Sequence, residues 1–328
     1  MKPQGMQSLS LYIHVPFCAR KCNYCDFYSV PFNESLIDSY VSALLVEWKL
    51  IKDAYSLHDI PIQTLYFGGG TPSILPLRQW KRIIEHLIRP LHFAPDYEWS
   101  DECNPDSFTS EIASLWLDSG VTRISIGVQS LNDEELRSLG RVHNARQALA
   151  CLENPLLSKF KSTGVDLMYG IPRQTLDSLE ASLMTILALP ATRHLSAYEL
   201  TISSPTDFGR RRGMLPLPSE DAVIAMTEMI SQKTFERGFE QYEISNFSLP
   251  GHECRHNEAY WQHAPYVGLG PAAHSYLPPR RFSNVSSLDA YTTKLREQEL
   301  PTGFSEALDA AALSRELVFL GLNEAGRQ

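Results

Sequence analysis

The fold of this chain is decided by one stretch near its start, Leu9-Ser10-Leu11-Tyr12-Ile13-His14-Val15-Pro16-Phe17-Cys18-Ala19-Arg20-Lys21-Cys22-Asn23-Tyr24-Cys25. Its first seven residues are mostly apolar, and Pro16 ends them, which predicts a buried strand over 9–15. Three cysteines follow within eight residues, at the spacing C-x3-C-x2-C. The stretch therefore predicts a strand whose carboxyl end carries a group of thiols.

Strands and helices continue to alternate as far as residue 245. After the first strand, we expect strands over 63–67, 97–102, 123–127, 165–168 and 195–200. The intervening helices are predicted over 36–52, 77–88, 110–118, 133–139, 145–151, 175–187 and 220–237. Six successive strand–helix units predict a parallel sheet with helices outside it. The expected fold class is α/β, a partial (β/α)6 TIM-like barrel formed by residues 1–245.

Polar or glycine-rich residues stand at the ends of these strands. They are Gly68-Gly69-Gly70-Thr71-Pro72, Glu102, Gln129, Asp166 and Tyr198-Glu199. Each residue alone is more often part of a turn or a solvated side chain. Ligands of parallel α/β folds, however, bind at the carboxyl ends of the strands. The whole set, together with the thiols, indicates one shared site.

Composition narrows the class of protein. The chain has 328 residues, 43% of them hydrophobic, and a net charge of −9. These values exclude wholesale disorder and argue against a nucleic-acid partner. No apolar run approaches the ~18 residues of a membrane span, so we expect no integral membrane segment. Six cysteines, three of them isolated at Cys103, Cys151 and Cys254, do not form a secreted disulfide framework. We therefore expect a cytoplasmic protein.

The clustered thiols leave three kinds of site to compare. A structural zinc site needs a second pair of ligands, which the sequence lacks. A redox dithiol needs only two cysteines and leaves Cys18 without a role. Three thiolates, Cys18, Cys22 and Cys25, suit a 4Fe-4S cluster with one iron open to a small ligand. Tyr24 lies between the second and third thiols and is expected to shield the cluster from water.

The cysteine pattern and the Gly-rich strand end together resemble the radical S-adenosylmethionine superfamily. Residues 11–18, 127–130 and 166–170 are similar to its coproporphyrinogen III oxidase-like branch, and the resemblance covers nearly the whole chain. It implies a 4Fe-4S cluster and S-adenosyl-L-methionine as cofactors. The contacts with S-adenosylmethionine that it implies are Tyr12, Tyr24, Gly69, Gly70, Thr71, Glu102, Gln129, Arg141 and Asp166.

Two features distinguish the subgroups of this branch. Oxygen-independent coproporphyrinogen III oxidases resemble one another in a further cysteine two residues after the third, where this chain has Phe27. The HemW-like heme chaperones have an aromatic residue there and an H-N-x-x-Y-W motif, which is matched by His256-Asn257-Glu258-Ala259-Tyr260-Trp261. The resemblance implies heme binding and delivery to apo-hemoproteins such as respiratory enzymes. The alternative is oxidative decarboxylation of coproporphyrinogen III by a 5′-deoxyadenosyl radical.

The same resemblance leaves several points open. The heme ligand is His256, Cys254 or neither of them, since both imidazole and thiolate ligate heme iron. A homodimer is allowed, as is peripheral association with membrane hemoproteins. Whether the protein is itself an enzyme is left undecided.

The chain changes character after Ser245. We expect 246–304 to be an accessory segment rich in histidine and aromatic residues, with 246–279 mostly loop. From Ser305 onwards the pattern predicts helix. Relatives in the resembling subgroup continue into a small helical domain. We therefore expect 305–328 to be the start of a C-terminal helical domain that this sequence holds incompletely.

Overall fold

Six parallel strands form the centre of the computed structural model, which describes residues 6–324. They are β1 (Leu9–Val15), β2 (Ile62–Gly69), β3 (Phe93–Cys103), β4 (Arg123–Gln129), β5 (Ser162–Tyr169) and β6 (Thr192–Glu199). Each is paired in parallel with the next along the chain. The predicted series of six strands is therefore confirmed.

Helices connect these strands and flank the later ones. They are α1 (Glu34–Tyr55), α2 (Leu77–Ile83, continued by a π-turn over Ile84–Ile88), α3 (Ser110–Ser119), α4 (Asp133–Leu139), α5 (Ala145–Leu152), α6 (Leu176–Leu187), α7 (Asp207–Arg210) and α8 (Glu220–Glu236). Local sequence fixes their ends. Asn132 caps α4 by accepting from the backbone N–H of Glu134 at 2.8 Å, and Gly140 ends it at φ 77°.

Further strands extend the sheet at both sides. Beyond β6 lie β7 (Glu240–Gln241) and β8 (Asn246–Ser248), both antiparallel to their neighbours. Beyond β1 lies β9 (Tyr266–Leu269), parallel to β1. It is followed by the antiparallel strands β10 (His274–Leu277), β11 (Arg280–Asn284) and β12 (Thr302–Ala307). Among the described strands, β7 and β12 each pair with only one neighbour and form the two edges of the sheet. The sheet does not close on itself, so the barrel is partial, as predicted.

The expectation of loop over 246–279 is wrong. This part of the chain contains β8, β9, β10 and α9 (Arg255–Trp261). The strands are only three or four residues long, which is too short to show a period of two in the sequence. His256, the second residue of α9, is polar yet buried, so the helix has no simple apolar stripe.

The predicted helical start at Ser305 is also wrong. Residues 302–307 form β12, which pairs with β11, and α11 (Ala310–Glu324) begins only after it. Between these strands, α10 (Leu288–Arg296) packs against α1. The last four residues of the predicted C-terminal segment, 325–328, lie outside the described residues. In the part of the chain from 6 to 324, no helix is both long and apolar enough to cross a bilayer.

Side chains on the barrel strands alternate between two environments. On β3, Trp99 points to the outer layer, where aromatic rings pack under the helices, and its ring lies 6.2 Å from that of Phe67. Its neighbours Ser100 and Glu102 point to the inside of the barrel and line a cavity there. Parallel strands buried on both faces are usually apolar on both. The polar inner face of this sheet therefore marks the interior of the barrel as a binding region.

Candidate functional site

Two adjoining cavities open at the carboxyl ends of the barrel strands. The first, which we call the cysteine cavity, has a volume of about 380 Å3 and is lined by all three clustered cysteines. The second, the barrel cavity, has a volume of about 570 Å3 and is lined by residues of β1–β6, the cysteine loop and 254–274. Gly69, Glu102 and Asp166 border both cavities. The strand ends therefore meet at two adjoining cavities.

Most of the predicted site residues meet at the cysteine cavity. Those lining it are Cys18, Cys22, Tyr24, Cys25, Gly69, Gly70, Thr71, Glu102, Gln129, Arg141 and Asp166. Tyr12 and His256 line the barrel cavity instead. Cys103, an isolated cysteine, is buried at the wall of the cysteine cavity as well.

The cysteine loop presents its thiols beside hydrogen-bond donors. Thr71 Oγ1 lies 3.7 Å from Cys18 Sγ, and Arg141 Nη1 lies 3.5 Å from Cys22 Sγ. Burial raises the pKa of Cys18, and it raises the pKa of Cys25 to about 11, with Cys22 and Cys18 adding to the effect. Uncomplexed Cys18 and Cys25 are therefore protonated at neutral pH, and metal ligation by them releases protons.

The donor set fits an iron–sulfur cluster. Three soft sulfur ligands from one loop face one cavity, and neighbouring donors can tune the sulfurs. In residues 6–324, no three histidine, cysteine, aspartate or glutamate side chains stand close enough together to form a preassembled metal site. The loop must therefore draw its thiols together when it binds metal.

Two glycines at the end of β2, Gly69 and Gly70, leave the cysteine cavity without side chains at this point. Gly69 has φ 102°, and a Cβ there would lie 2.3 Å from His14 Nδ1. A Cβ on Gly70 would lie 2.6 Å from the carbonyl oxygen of Phe17. A side chain at Gly69 would therefore collide with the His14 ring, and one at Gly70 would collide with backbone carbonyl groups. The Gly-rich segment thus holds β2 against the first strand and leaves room for a ligand above it.

A pair of half-buried carboxyl groups borders both cavities. Glu102 accepts from Tyr66 Oη at 2.8 Å and from the backbone N–H of Gly69 at 3.2 Å. Burial, and then repulsion by Asp166, raise the pKa of Glu102 to about 7. Burial also raises the pKa of Asp166, against the hydrogen bond that Ser125 donates to it at 2.9 Å. A cationic or hydroxyl-bearing ligand would stabilise both groups in their ionised form.

Tyr12 and Gln129 reach the site in different ways. Tyr12 Oη lies 3.1 Å from His14 Nδ1, and its ring stacks on Tyr66 with centroids 6.2 Å apart. Gln129 adopts φ 68°, in the left-handed region, next to an irregularity in the pairing of β4 with β5. That kink directs the Gln129 side chain into the cysteine cavity.

His256 is held from both sides. Its Nδ1 lies 2.7 Å from Thr64 Oγ1, and its Nε2 lies 2.9 Å from Tyr260 Oη. Only 1% of the residue is exposed, and burial lowers the pKa of the imidazole to about 3. His256 is therefore neutral. To coordinate iron through Nε2 it would first have to lose the hydrogen bond to Tyr260.

Cys254 is similarly enclosed. Its Sγ lies 3.7 Å from Glu98 Oε1, and burial, reinforced by the Glu98 charge, raises the pKa of the thiol to about 12. Glu98 also accepts from the backbone N–H groups of Arg255 and His256 at 3.2 and 3.1 Å. This carboxylate thus fixes the start of α9, and Cys254 faces the barrel cavity as a protonated thiol.

Several residues of the barrel cavity were missed by sequence reasoning. Among them are Tyr66, Ser100, Arg123, Ser125, His194 and Ser196. A signal was present: polar residues recur at every second position of 98–102, 123–125 and 194–198 within otherwise apolar strands. In a parallel barrel this alternation indicates a polar interior.

Comparison with known proteins agrees with this geometry. Residues 12–186 match the family model of the Radical SAM superfamily. The chain is 35% identical over 318 residues to the heme chaperone HemW of Bacillus subtilis (strain 168), covering 96% of this chain and 83% of that protein. The chain belongs to the HemW family of the radical SAM superfamily.

The HemW protein of Escherichia coli aligns over less of its length than that of Bacillus subtilis. The Escherichia coli (strain K12) heme chaperone HemW is 37% identical over 267 residues, which is 81% of this chain and 69% of that protein. Among solved structures, the coproporphyrinogen III oxidase HemN from Escherichia coli, a radical SAM enzyme, superimposes with a TM-score of 0.85. The superposition covers 97% of this chain and 76% of the HemN chain at 24% identity, which supports the shared fold.

Proposed function

We propose that this member of the HemW family binds heme, a 4Fe-4S cluster and S-adenosyl-L-methionine, and delivers the heme to apo-hemoproteins such as respiratory enzymes. The observation that carries the proposal is its 35% identity to a heme chaperone over 96% of the chain. Phe27 supports it further, because this side chain is 62% exposed at the border of both cavities, where the oxidase pattern has a cysteine.

The cysteine cavity is the proposed site of the cluster and S-adenosylmethionine. Cys18, Cys22 and Cys25 hold the cluster, which when bound supplies one-electron reduction to the ligand on its open iron. Tyr24, Gly69, Gly70, Thr71, Glu102, Gln129, Arg141 and Asp166, with Tyr12 from the adjoining cavity, bind S-adenosylmethionine. Glu102 and Asp166 attract the cationic groups of S-adenosylmethionine, and the glycines leave space for its methionine moiety.

The barrel cavity is the proposed heme site. Tyrosine rings line it, and its histidines and Cys254 supply potential iron ligands. We propose His256 as a heme contact, with Cys254 as the competing ligand. His274 lines the same cavity at its exposed edge. It is a third candidate, because burial lowers the pKa of its imidazole and so keeps the ring neutral.

The setting of the protein is also part of the proposal. We propose a cytoplasmic protein that associates with membrane hemoproteins from their surface, and a homodimer as its assembly. Residues 1–245 are the proposed radical SAM core and 246–304 an accessory segment. The sheet supports a close union of the two, because β8 and β9 of the accessory segment pair with β6 and β1.

Anaerobically reconstituted protein tests the function. We expect it to bind ferric heme, to raise the activity of an added apo-hemoprotein, and to leave coproporphyrinogen III unchanged in the presence of S-adenosylmethionine. Turnover of coproporphyrinogen III would favour the oxidase alternative. A Cys22→Ser variant should lose iron and sulfide, whereas Cys151→Ser, a buried cysteine that lines neither cavity, should retain them.

A further inference from the structure

The barrel cavity contains a buried cation that the protein leaves partly unpaired. Arg123, at the start of β4, is only 3% exposed. Its hydrogen bonds both leave from Nη1, to Ser162 Oγ at 3.0 Å and to the carbonyl oxygen of His252 at 2.8 Å. No ion pair within 4.0 Å among residues 6–324 includes Arg123. A buried charge without a partner is costly, unless a ligand supplies the opposite charge.

Two further polar groups beside Arg123 lack partners. Ser100, 2% exposed, is the β3 residue in register with Arg123, and its Oγ has no hydrogen bond within the described part of the chain. His194, 1% exposed, is on β6, and its Nδ1 has none either. Both residues line the barrel cavity together with Arg123. Buried polar atoms are rarely left unsatisfied, so this concentration of them points to a ligand.

Arg123 and His194 face one small space, and Ser100 adjoins Arg123 through strand register. A Cβ built on Gly164 would lie 3.2 Å from His194 Nδ1, 3.3 Å from Ser125 Oγ and 3.5 Å from Arg123 Nη2. Three polar atoms from two strands, β4 and β6, thus surround the small space that Gly164 leaves open. Ser125 already donates to Asp166. The groups available to a ligand are therefore Arg123, His194 and Ser100.

The hydrogen bonds around His194 favour a donor at Nδ1. Its Nε2 lies 2.8 Å from Tyr242 Oη, which itself accepts from the backbone N–H of Cys254 at 3.2 Å. The hydroxyl hydrogen of Tyr242 is then directed at Nε2, and the ring proton is placed on Nδ1. Burial and the Arg123 charge lower the pKa of His194, which keeps the ring neutral. It presents one N–H to the cavity.

Nearby carboxylates limit the charge that this place can accept. Glu98 is engaged by the backbone N–H groups at the start of α9, and Asp166 by Ser125. Both are outside ion-pair distance of Arg123, yet both favour a monoanion over a dianion such as phosphate. A cavity of about 570 Å3 is also far larger than an inorganic ion needs. An organic carboxylate meets both conditions.

We propose that the Arg123 region of the barrel cavity is a carboxylate-binding site. Arg123 Nη2, His194 Nδ1 and Ser100 Oγ bind the carboxylate, and the body of the ligand occupies the rest of the cavity. The carboxylate comes either from a propionate of a tetrapyrrole, an assignment that rests on the proposed heme function, or from a small organic acid that binds independently of heme.

Three variants test the site. Arg123→Met removes the cation, and Ser100→Ala removes a hydroxyl whose loss breaks no hydrogen bond in the protein. Ser248→Ala is the matched control, because Ser248 Oγ is also buried and unpartnered but lines neither cavity. Each is titrated with ferric protoporphyrin IX and with its dimethyl ester, and its melting temperature is measured with and without succinate.

We expect Arg123→Met to weaken binding of the free-acid porphyrin by about ten- to a hundredfold, as one charge-assisted hydrogen bond implies. Ser100→Ala should weaken it by about two- to tenfold, and Ser248→Ala should not change it. The ester should bind wild type and variants equally. Because Ser100→Ala leaves the fold intact, it decides the question even if Arg123→Met does not fold.

The two sources of the carboxylate give different results. Porphyrin binding that depends on its free acids and on these residues assigns the site to the tetrapyrrole. If porphyrin does not bind, but succinate raises the melting temperature of wild type and of Ser248→Ala alone, the carboxylate site stands and the heme function fails. If neither ligand distinguishes wild type from Ser100→Ala and Arg123→Met, the site does not exist.

Discussion

Arg141 donates from Nη1 to the sulfur of Cys22 across 3.5 Å. Its Nη2 is held at the same time by Asn104 Oδ1 and by the carbonyl oxygen of Gly127, both at 2.6 Å. The hydrogen bonds to Asn104 and Gly127 thus hold the guanidinium beside the cysteine loop. A fixed positive charge beside one thiolate of the proposed cluster affects the reduction potential directly.

We expect Arg141→Met to make the cluster harder to reduce, because a nearby cation favours the more negative, reduced state. Loss of one charged hydrogen bond corresponds to a decrease in potential of about 60 mV or more, the one-electron equivalent of a tenfold change. A redox titration followed by EPR measures it. Arg82→Met, which removes a half-buried arginine that pairs with Asp38 on the helical layer, is the control. Equal potentials in all three proteins would contradict the prediction.

The affinity for S-adenosylmethionine should increase with pH through about 7. In the free protein, burial raises the pKa of Glu102 to about 7, so this carboxyl is protonated below that pH. A cationic ligand binds the ionised form, so binding below the pKa requires proton release. We expect binding at about pH 8 to be up to tenfold tighter than at about pH 6. Anaerobic calorimetry measures this dependence.

The variant Glu102→Gln separates this carboxyl from other titrating groups. It should bind S-adenosylmethionine more weakly at about pH 8 and lose most of the pH dependence, because the amide does not ionise. Glu111→Gln, at the exposed start of α3, should behave as wild type. A pH dependence that survives in Glu102→Gln would place the titrating group elsewhere, for example at Asp166.

The barrel and the cysteine cavity could be predicted from sequence because both leave regular traces. Except for α2, the helices that follow the core strands begin at a capping side chain, such as Asn132, and some end at a glycine, such as Gly140. Ligand-binding positions of a parallel fold fall at strand ends, so Glu102 and Asp166 could be placed on one side of the sheet before any contact was known.

The accessory segment could not be predicted in this way. Its strands are too short for periodicity. Its helix is fixed by hydrogen bonds across the fold, such as that between His256 and Thr64 and the one that the His256 backbone N–H donates to Glu98. Those partners lie more than 150 positions away in the chain. The partners of Arg123 were hidden for a related reason, since they come from other strands and a loop and are brought together only by register.

Tyr260→Phe tests whether His256 is the heme ligand. The Tyr260 hydroxyl lies 2.9 Å from His256 Nε2, and removing it frees that nitrogen while keeping the ring that packs edge-on against His256. If His256 ligates iron, we expect heme to bind about two- to tenfold more tightly, the value of one neutral hydrogen bond. His256→Ala should then lose the heme spectrum. The same affinity in wild type and Tyr260→Phe would remove His256 from the list of ligands.

A buried carboxyl of α1 should stabilise the union of the barrel with the C-terminal strands. Glu47 is fully buried and accepts from the backbone N–H of Gly270 at 2.8 Å, from Asn284 Nδ2 and from Tyr291 Oη. Burial raises the pKa of Glu47 to about 7, despite these three donors. Glu47→Ala removes the acceptor shared by all three donors, although Asn284 Nδ2 keeps a second hydrogen bond to the carbonyl oxygen of Gly270 at 2.8 Å. We therefore expect the free energy of unfolding to fall by about 3 kcal/mol.

The pH dependence of stability provides a second, independent reading of Glu47. Between about pH 4.5 and 7 the folded protein keeps a proton on this carboxyl that the unfolded chain has lost. The free energy of unfolding should therefore decrease as pH rises through that window. Urea denaturation at several pH values measures the slope, and Glu47→Gln should reduce it, because the amide retains an acceptor but cannot ionise. Glu85→Gln, on the exposed side of α2's continuation, should leave it unchanged. An unaltered slope in Glu47→Gln would mean that this carboxyl is ionised in the folded protein across the whole window.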